Sequence, residues 1–215
     1  MDQQKVVLFD LGGVLVESAG RLALHALLPH LKDEGVVLQR WHESEAVGLF
    51  ERGLISREEF ARAFVREWEL AIDESHFLES FALWVRGFFD GAEQLIHDLR
   101  RKHRVGCLSN TNAVHWERLP QVTGLFDYRF ASHLAGFMKP APEAYSHALH
   151  VIGVDGRDVY FLDDLVANVL AAREAGINAF HVRGLAEAEA ALLGEGLLAR
   201  PPSSVTGRNA PNPMH

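Results

Sequence analysis

The strongest constraint on the fold is a short apolar run, Val6–Phe9, which leads directly into Asp10 and then into the glycine pair Gly12–Gly13. The run is rich in valine and too short for a typical helix, so it predicts a strand buried on both faces, as in a parallel sheet. Asp10 then lies at the carboxyl end of that strand, where open α/β sheets bind their ligands. The glycines allow the backbone to turn tightly and to approach whatever Asp10 contacts.

Composition and charge exclude several classes of function. The 215 residues are 48% hydrophobic, which is enough for one domain with an insertion, and the formal net charge of -8 argues against nucleic acid or an anionic membrane as a partner. The single cysteine, Cys107, excludes an intramolecular disulfide. The start of the chain lacks a signal-peptide pattern, and no apolar run reaches the roughly 18 residues of a membrane span. We therefore expect a soluble, cytoplasmic protein that is a monomer or a homodimer.

Residues 18–88 form a block that differs from the rest of the chain. Apolar residues recur there at helical spacing in four segments, which are residues 21–31, 41–52, 57–70 and 74–89. Ser56 and Glu59 form a capping-box pattern before Phe60. No segment of the block has a clear strand pattern, so we interpret it as a small helical insertion.

From Gly91 onward, predicted helices and strands alternate along the chain. The predicted strands are residues 104–108, 128–132, 159–162 and 179–183. The predicted helices are residues 92–102, a helix from about 113, and residues 143–152, 167–175 and 185–193. This alternation predicts an α/β fold with a doubly wound, mostly parallel sheet. Residues 200–215 have too little apolar content to pack and are expected to be disordered.

Four polar clusters follow predicted parallel strands in sequence order, and they are Asp10, Ser109, Lys139 and the pair Asp163–Asp164. The carboxyl ends of such strands meet at one edge of the sheet, where a doubly wound fold forms its crevice. A carboxylate nucleophile, a hydroxyl, a lysine and an acidic pair are therefore expected to converge on one site.

These clusters resemble the four ordered motifs of the haloacid dehalogenase superfamily. The matching segments are residues 9–14, 108–110, 139–140 and 161–164. Residues 109–112 with His115, and residues 136–145, are similar to the branch that contains bacterial sugar-1-phosphate phosphatases, and the amino-terminal domain of soluble epoxide hydrolases is another relative. The resemblance implies a Rossmann-like core of residues 1–17 and 89–199 and a helical cap of residues 18–88, with residues 200–215 left as the tail.

The clusters can supply the chemistry of phosphate-ester hydrolysis. Asp10 is a carboxylate that can attack phosphorus to form an aspartyl-phosphate. Lys139 adds a fixed positive charge that can hold the phosphoryl oxygens beside Asp10. Ser109 and the backbone N–H of Asn110 can donate hydrogen bonds to the same oxygens. The resemblance implies these same roles at these positions.

A metal ion is expected at the same edge, since an anion that attacks an anion needs its charge neutralised. Mg²⁺ prefers oxygen ligands, which Asp10 and Asp164 provide with Asp163 or Asn168 nearby. The resemblance adds the backbone carbonyl of Gly12 to this predicted ligand set. The expected cofactor is therefore Mg²⁺, and the expected partner is a small phosphoester.

Gly12 is a departure from the family pattern. Most phosphatases of this family carry there a second aspartate, which protonates the leaving alcohol and then activates water, a contribution of roughly 10²–10⁴-fold in rate. A sugar-1-phosphate has a better leaving group than a primary alcohol, and the similar sugar-1-phosphate branch also has glycine here. Glu17 and His115 are candidate substitute acids.

Two alternatives remain open at this point. A carbon–halogen hydrolase needs no proton for its halide, but the dehalogenase branch usually has tyrosine where Gly12 stands and does not need Mg²⁺. A catalytically impaired binding protein is the other alternative. The favoured prediction is a Mg²⁺-dependent phosphomonoester hydrolase that acts on a small metabolite, with a sugar phosphate as one candidate. Trp41, Phe50 and Arg52 are candidate cap residues for substrate contact.

Overall fold

A computed structural model describes residues 4–28, 31 and 33–199, so the predicted tail of residues 200–215 lies outside the described residues. The strands in the described part are β1 (Val6–Phe9), β2 (Val16–Ser18), β3 (Val85–Phe88), β4 (Arg104–Ser109), β5 (Tyr128–Ala131), β6 (Val159–Asp163) and β7 (Asn178–His181). The helices there are α1 (Gly20–Leu27), α2 (Glu34–Glu43), α3 (Glu45–Glu51), α4 (Arg57–Glu67), α5 (Glu74–Ala82), α6 (Ala92–Arg100), α7 (Ala113–Glu117), α8 (Val122–Leu125), α9 (Ser132–Ala135), α10 (Pro142–Ile152), α11 (Val166–Glu174) and α12 (Gly184–Gly194).

Five of these strands form one parallel sheet in the order β5-β4-β1-β6-β7. Strand β1 is central and pairs with β4 on one side and with β6 on the other, and all four of its residues are buried. Burial on both faces explains why the strand is a continuous apolar run and does not alternate with polar residues. The predicted doubly wound α/β fold is confirmed.

Helices cover both faces of the sheet. Leu95 and Leu99 of α6 pack on one face together with Leu192 of α12. Ala148 of α10 and Val169 of α11 pack on the other face. Each helix therefore buries its apolar side against the sheet and leaves its polar side to solvent. None of the described helices is long and apolar enough to cross a membrane.

Helices α1–α5 have an apolar core of their own, built largely from aromatic side chains. The ring of Phe50 stacks on that of Phe60 with 4.3 Å between centroids, and Phe64 stacks on Phe77 at 4.8 Å. Ser56 and Glu59 form the predicted capping box at the start of α4. This block is thus held together by contacts separate from those of the sheet.

The prediction of one helix over residues 74–89 is wrong for its last residues. Helix α5 ends at Ala82, and β3 pairs antiparallel with β2, the strand that leads from the sheet into the helical block. The apolar spacing that suggested a helix continues through Val85 and Phe88, but backbone pairing with β2 takes precedence there. Gly87 also adopts a positive φ of 127°, which interrupts a helix. The helix predicted over residues 41–52 is likewise divided, because Ser44 caps α3.

Candidate active site

Asp10 lies at the carboxyl end of the central strand, and its backbone N–H donates to the carbonyl oxygen of Leu162 at 2.8 Å. The chain leaves β1 on one side toward β4 and β5 and returns on the other side to β6. Asp10 and the acidic pair after β6 therefore flank the point where the strand order reverses, which is where α/β folds bind ligands. The side chain of Asp10 is only 12% exposed.

Lys139 reaches this point from the loop between α9 and α10. Its Nζ lies 3.0 Å from Oδ1 of Asp10 and donates to Oδ2 of Asp163 at 2.6 Å. The lysine side chain is 1% exposed. Burial alone would lower the pKa of Lys139, but the carboxylates of Asp10 and Asp163 outweigh burial and raise it above its ordinary value. Lys139 is therefore a fixed cation between two carboxylates.

Asn110 holds the Lys139 backbone in place. Its Nδ2 donates to the carbonyl oxygen of Lys139 at 2.8 Å, and the N–H of Lys139 donates to its Oδ1 at 2.8 Å. This pairing imitates a strand ladder and fixes the loop at the end of β4. The sequence suggested only the backbone N–H of Asn110 as a donor, because a side chain paired with a loop 29 residues away leaves no local signal. Ser109, buried at the end of β4, lines the cavity beside Asn110.

Asp163 and Asp164 have different surroundings. Both oxygens of Asp163 accept hydrogen bonds from Asn168 Nδ2 at 3.0 Å, and Oδ1 also accepts from the N–H of Leu165 at 2.8 Å. Asp163 is fully buried, and its oxygens accept hydrogen bonds from Lys139 and from the start of α11. Asp164 is less buried and lies against Gly13, where an added Cβ would stand 2.6 Å from Asp164 Oδ2. Gly13 therefore allows Asp164 to approach.

The three aspartates offer a donor set suited to a hard divalent cation. Single carboxylate oxygens of Asp10, Asp163 and Asp164 lie within 4.8 Å of one another. Burial, together with the negative charges of Asp163 and Asp164, raises the pKa of Asp10 to about 6 against the opposing charge of Lys139. Burial is the main cause that raises the pKa of Asp164, and the negative charge of Asp163 adds to it. Three carboxylates facing one lysine leave excess negative charge, and such oxygens are the ligands that Mg²⁺ prefers.

Two adjoining cavities open onto these residues. One of about 230 Å³ is lined by Gly12, Ser109 and Asn110, together with apolar side chains such as Leu24 and Trp84. The other, of about 740 Å³, reaches Asp10 and Lys139. The described helical block thus covers the edge of the sheet where the polar clusters meet.

The candidate cap residues do not all reach the cavities. Trp41 lines both, whereas Phe50 is buried in the aromatic core. Arg52 is exposed, and its Nε donates back to the carbonyl oxygen of Gly48 at 2.9 Å. Glu51, which stands between Phe50 and Arg52, lines both cavities. No motif in the sequence marks Glu51, although its neighbours Phe50 and Arg52 are candidate substrate contacts.

The two candidate substitute acids are engaged elsewhere. Glu17 forms an ion pair with Arg86 at 2.8 Å on the exposed face of β2. The Nε2–H of His115 donates to the carbonyl oxygen of Phe81 at 2.9 Å, and its Nδ1 accepts from Asn112 at 3.2 Å. Burial lowers the pKa of His115 to about 4, so the ring is neutral and both nitrogens are occupied.

Several known proteins are similar to this chain. A D-ribitol-5-phosphate phosphatase of Bacteroides thetaiotaomicron is 28% identical over 190 residues, which cover 82% of this chain and 90% of the relative. A sesquiterpene phosphatase of Aspergillus oryzae is 28% identical over 184 residues, covering 83% and 89%.

Solved structures show the same fold. A haloacid dehalogenase family enzyme from Bacteroides thetaiotaomicron, in complex with magnesium and inorganic phosphate, matches with a TM-score of 0.71 at 23% identity, covering 84% of this chain and 95% of that one. An L-2-haloacid dehalogenase matches with a TM-score of 0.60 at 22% identity, covering 84% and 85%. The haloacid dehalogenase-like hydrolase family model matches residues 4–176. The chain therefore belongs to the haloacid dehalogenase-like hydrolase family.

Proposed function

We propose that this protein is a Mg²⁺-dependent phosphomonoester hydrolase that acts on a small phosphorylated metabolite, such as a sugar or polyol phosphate, through an aspartyl-phosphate on Asp10. The observation that carries the proposal is the buried contact of Lys139 Nζ with Asp10 at 3.0 Å and with Asp163 at 2.6 Å, next to Asp164 and a cavity. Family membership and the phosphatase relatives, each covered over most of its length, support it.

The proposed reaction has two displacements at phosphorus. An oxygen of Asp10 attacks phosphorus as the bond to the leaving alcohol breaks, and water then attacks as the bond to Asp10 breaks. Lys139, beside Oδ1 of Asp10, stabilises the negative charge that builds on the phosphoryl oxygens. Ser109 and the N–H of Asn110 donate hydrogen bonds to those oxygens and orient the phosphoryl group.

The acidic cluster fits Mg²⁺, and we assign its ligands to Asp10, Asp164 and the backbone carbonyl of Gly12. Asp163 is adjacent, but its oxygens already accept from Lys139, Asn168 and Leu165, so its role is to position Lys139 and support the site. When bound, Mg²⁺ supplies the positive charge that offsets repulsion between a carboxylate and a phosphate.

The helical block of residues 18–88 is the proposed cap. Its side chains form most of the roof of the 230 Å³ cavity, with Trp41 and Trp84 among them. Closure of such a lid excludes bulk water from the site while the ester bond breaks, and the lid contacts the non-phosphate part of the substrate. The cavity size matches a small metabolite better than a polymer.

The carbon–halogen alternative is weaker. The likeness to an L-2-haloacid dehalogenase is one of fold, at 22% identity. Halide displacement from a haloacid does not require a clustered carboxylate pair beside the nucleophile, whereas attack on a phosphate benefits from a cation held there. The buried Asp10–Lys139 contact likewise argues against a binding protein that has lost its chemistry, because an unused buried ion pair is costly to keep.

The test is phosphate release from a panel of sugar phosphates, polyol phosphates and one aryl phosphate, with Mg²⁺ or with a chelator. We expect metal-dependent release that disappears in Asp10→Asn while the variant remains folded. Halide release from 2-haloacids without metal, together with no phosphate release, would replace this proposal with the dehalogenase.

A further inference from the structure

Gly12 leaves an open space in the wall of the site. A Cβ added at Gly12 would have no neighbouring heavy atom within 4 Å, and the residue lines the 230 Å³ cavity. The proposed phosphatase reaction needs a proton for its leaving alcohol and a base for its attacking water. Gly12 supplies neither, which leaves this role open to another side chain of the site.

Glu51 is placed to do so. It is the last residue of α3 and lines both the cavity that contains Gly12 and the cavity that contains Asp10 and Lys139. Among the described residues that line these two cavities, Glu51 is the one carboxylic acid besides Asp10. Its side chain is half-buried, which suits a group that contacts a substrate.

The backbone around Glu51 is anchored on both sides. Phe50 is stacked on Phe60 inside the aromatic core, which fixes the end of α3. Two residues later, Gly53 has a φ of 70° and lies so close to the core that a Cβ there would stand 2.1 Å from the carbonyl oxygen of His133. The turn after Glu51 is therefore docked against α9, which holds Glu51 in the lining of both cavities.

The electrostatic surroundings support a role in proton transfer. Burial and the negative charge of Asp10 together raise the pKa of Glu51 to about 7, against the opposing positive charge of Lys139. Glu51 lines the same 740 Å³ cavity as Asp10 and Lys139, so the three groups share one site. A carboxyl group with a pKa near neutrality can give a proton in one step and take one in the next.

The other candidates are less suitable. Glu17 lies between Val16 and Ser18, which line the cavity, so strand alternation directs Glu17 to the opposite face, where it pairs with Arg86. His115 has both ring nitrogens in hydrogen bonds.

We propose that Glu51 is the general acid and base of this enzyme and replaces the aspartate that is absent at position 12; the assignment rests on the proposed phosphatase function. In the first step the Glu51 carboxyl gives its proton to the leaving oxygen as the phosphorus–oxygen bond to the alcohol breaks. In the second step the Glu51 carboxylate takes a proton from water as that water attacks the phosphorus bound to Asp10. Phosphate leaves, and Glu51 is again protonated.

The experiment compares wild type, Glu51→Gln and the control Glu45→Gln, which changes an exposed glutamate at the other end of the same helix. Each is assayed with Mg²⁺ on an alkyl phosphate and on an aryl phosphate with an acidic phenol. We expect Glu51→Gln to lower kcat on the alkyl ester by about 10²–10⁴-fold. A phenolate leaves without a proton, so the aryl ester should give a burst of one phenol per enzyme followed by slow turnover.

A second readout is independent of turnover. Intact-protein mass spectrometry of Glu51→Gln, quenched after mixing with the aryl ester, should show one added phosphoryl group, because formation of the aspartyl-phosphate continues while its hydrolysis is slowed. Wild type and Glu45→Gln should show little. Accumulation in Glu51→Gln together with an unchanged melting temperature would support the assignment.

Three outcomes would overturn it. The first is a Glu51→Gln variant with wild-type kcat on the alkyl ester. The second is an equal loss on both esters without a phosphoenzyme, which would make Glu51 a substrate-binding residue. The third, decisive even if the variant fails to fold, is a wild-type kcat that falls steeply as the leaving alcohol becomes less acidic. No phosphate release by wild type from any ester would instead refute the phosphatase and, with it, this role.

Discussion

Replacement of Asp10 by asparagine should stabilise the metal-free protein while abolishing turnover. Burial and the neighbouring Asp163 and Asp164 raise the pKa of Asp10 to about 6, and this value already includes the favourable contact with Lys139. A raised carboxyl pKa means that the folded state binds a proton more tightly than the unfolded chain does. Above both pKa values, the charged carboxylate therefore costs stability, and asparagine removes that cost without changing the shape of the side chain.

The magnitude follows from the two pKa values. With 3.8 for the unfolded chain and about 6 for the folded one, the difference at pH 7.5 corresponds to about 3 kcal/mol of free energy of unfolding. For a chain of this size, that is a rise in Tm of roughly 6–12 °C. The gain should shrink to about half at pH 5 and to roughly 0.5 kcal/mol at pH 4, because it is lost fully only below 3.8, where Asp10 is protonated in the unfolded chain as well.

The assay is thermal unfolding of wild type and Asp10→Asn at pH 7.5, 5 and 4, in a chelator and then with added Mg²⁺. Mg²⁺ should raise the Tm of wild type more than that of the variant, because the cation offsets the charge that asparagine lacks. Asp98→Asn, at a half-exposed carboxylate on α6, is the control and should change stability by less than about 0.5 kcal/mol. A metal-free Asp10→Asn that is no more stable than wild type at pH 7.5 would refute the reasoning.

Three further predictions concern the groups around Asp10. Lys139→Met should leave two buried carboxylates without their cation, costing about 3–5 kcal/mol in urea unfolding and removing activity; stability equal to wild type would contradict the ion-pair assignment. Asn110→Ala should lose both hydrogen bonds to the Lys139 backbone, costing about 2 kcal/mol, with a fall in kcat measured under saturating substrate; unchanged stability and kcat would contradict the role of Asn110 in holding Lys139. Gly13→Ala should push Asp164 aside and weaken Mg²⁺ binding at least about tenfold by calorimetry, because its Cβ would lie 2.6 Å from Oδ2 at a φ of 74°; unchanged affinity would exclude Asp164 as a ligand.

Local patterns were sufficient for much of the fold. Val6–Phe9 predicted a doubly buried strand, and the alternation after Gly91 predicted the parallel sheet, because strand and helix periods are properties of the nearest few residues. Local patterns failed where a distant partner took precedence. Val85 and Phe88 have helical spacing, yet the backbone of β3 pairs with β2, which lies about 70 residues earlier in the chain.

For the site, the sequence by itself determined which chemical groups meet. The predicted site residues lie at the carboxyl ends of strands or in the loops after them. Parallel strands bring these ends to one edge of the sheet, which is why Asp10, Ser109, Lys139 and Asp163–Asp164 meet. Only the tertiary structure decided that Asn110 pairs with the Lys139 backbone, that Asp163 pairs with Lys139, and that Glu51 and Gly12 line one cavity. The residues brought together in this way are 24 to 39 positions apart in the chain. Spacing along the chain carries no information about such contacts, because they depend on how the helical block docks on the sheet.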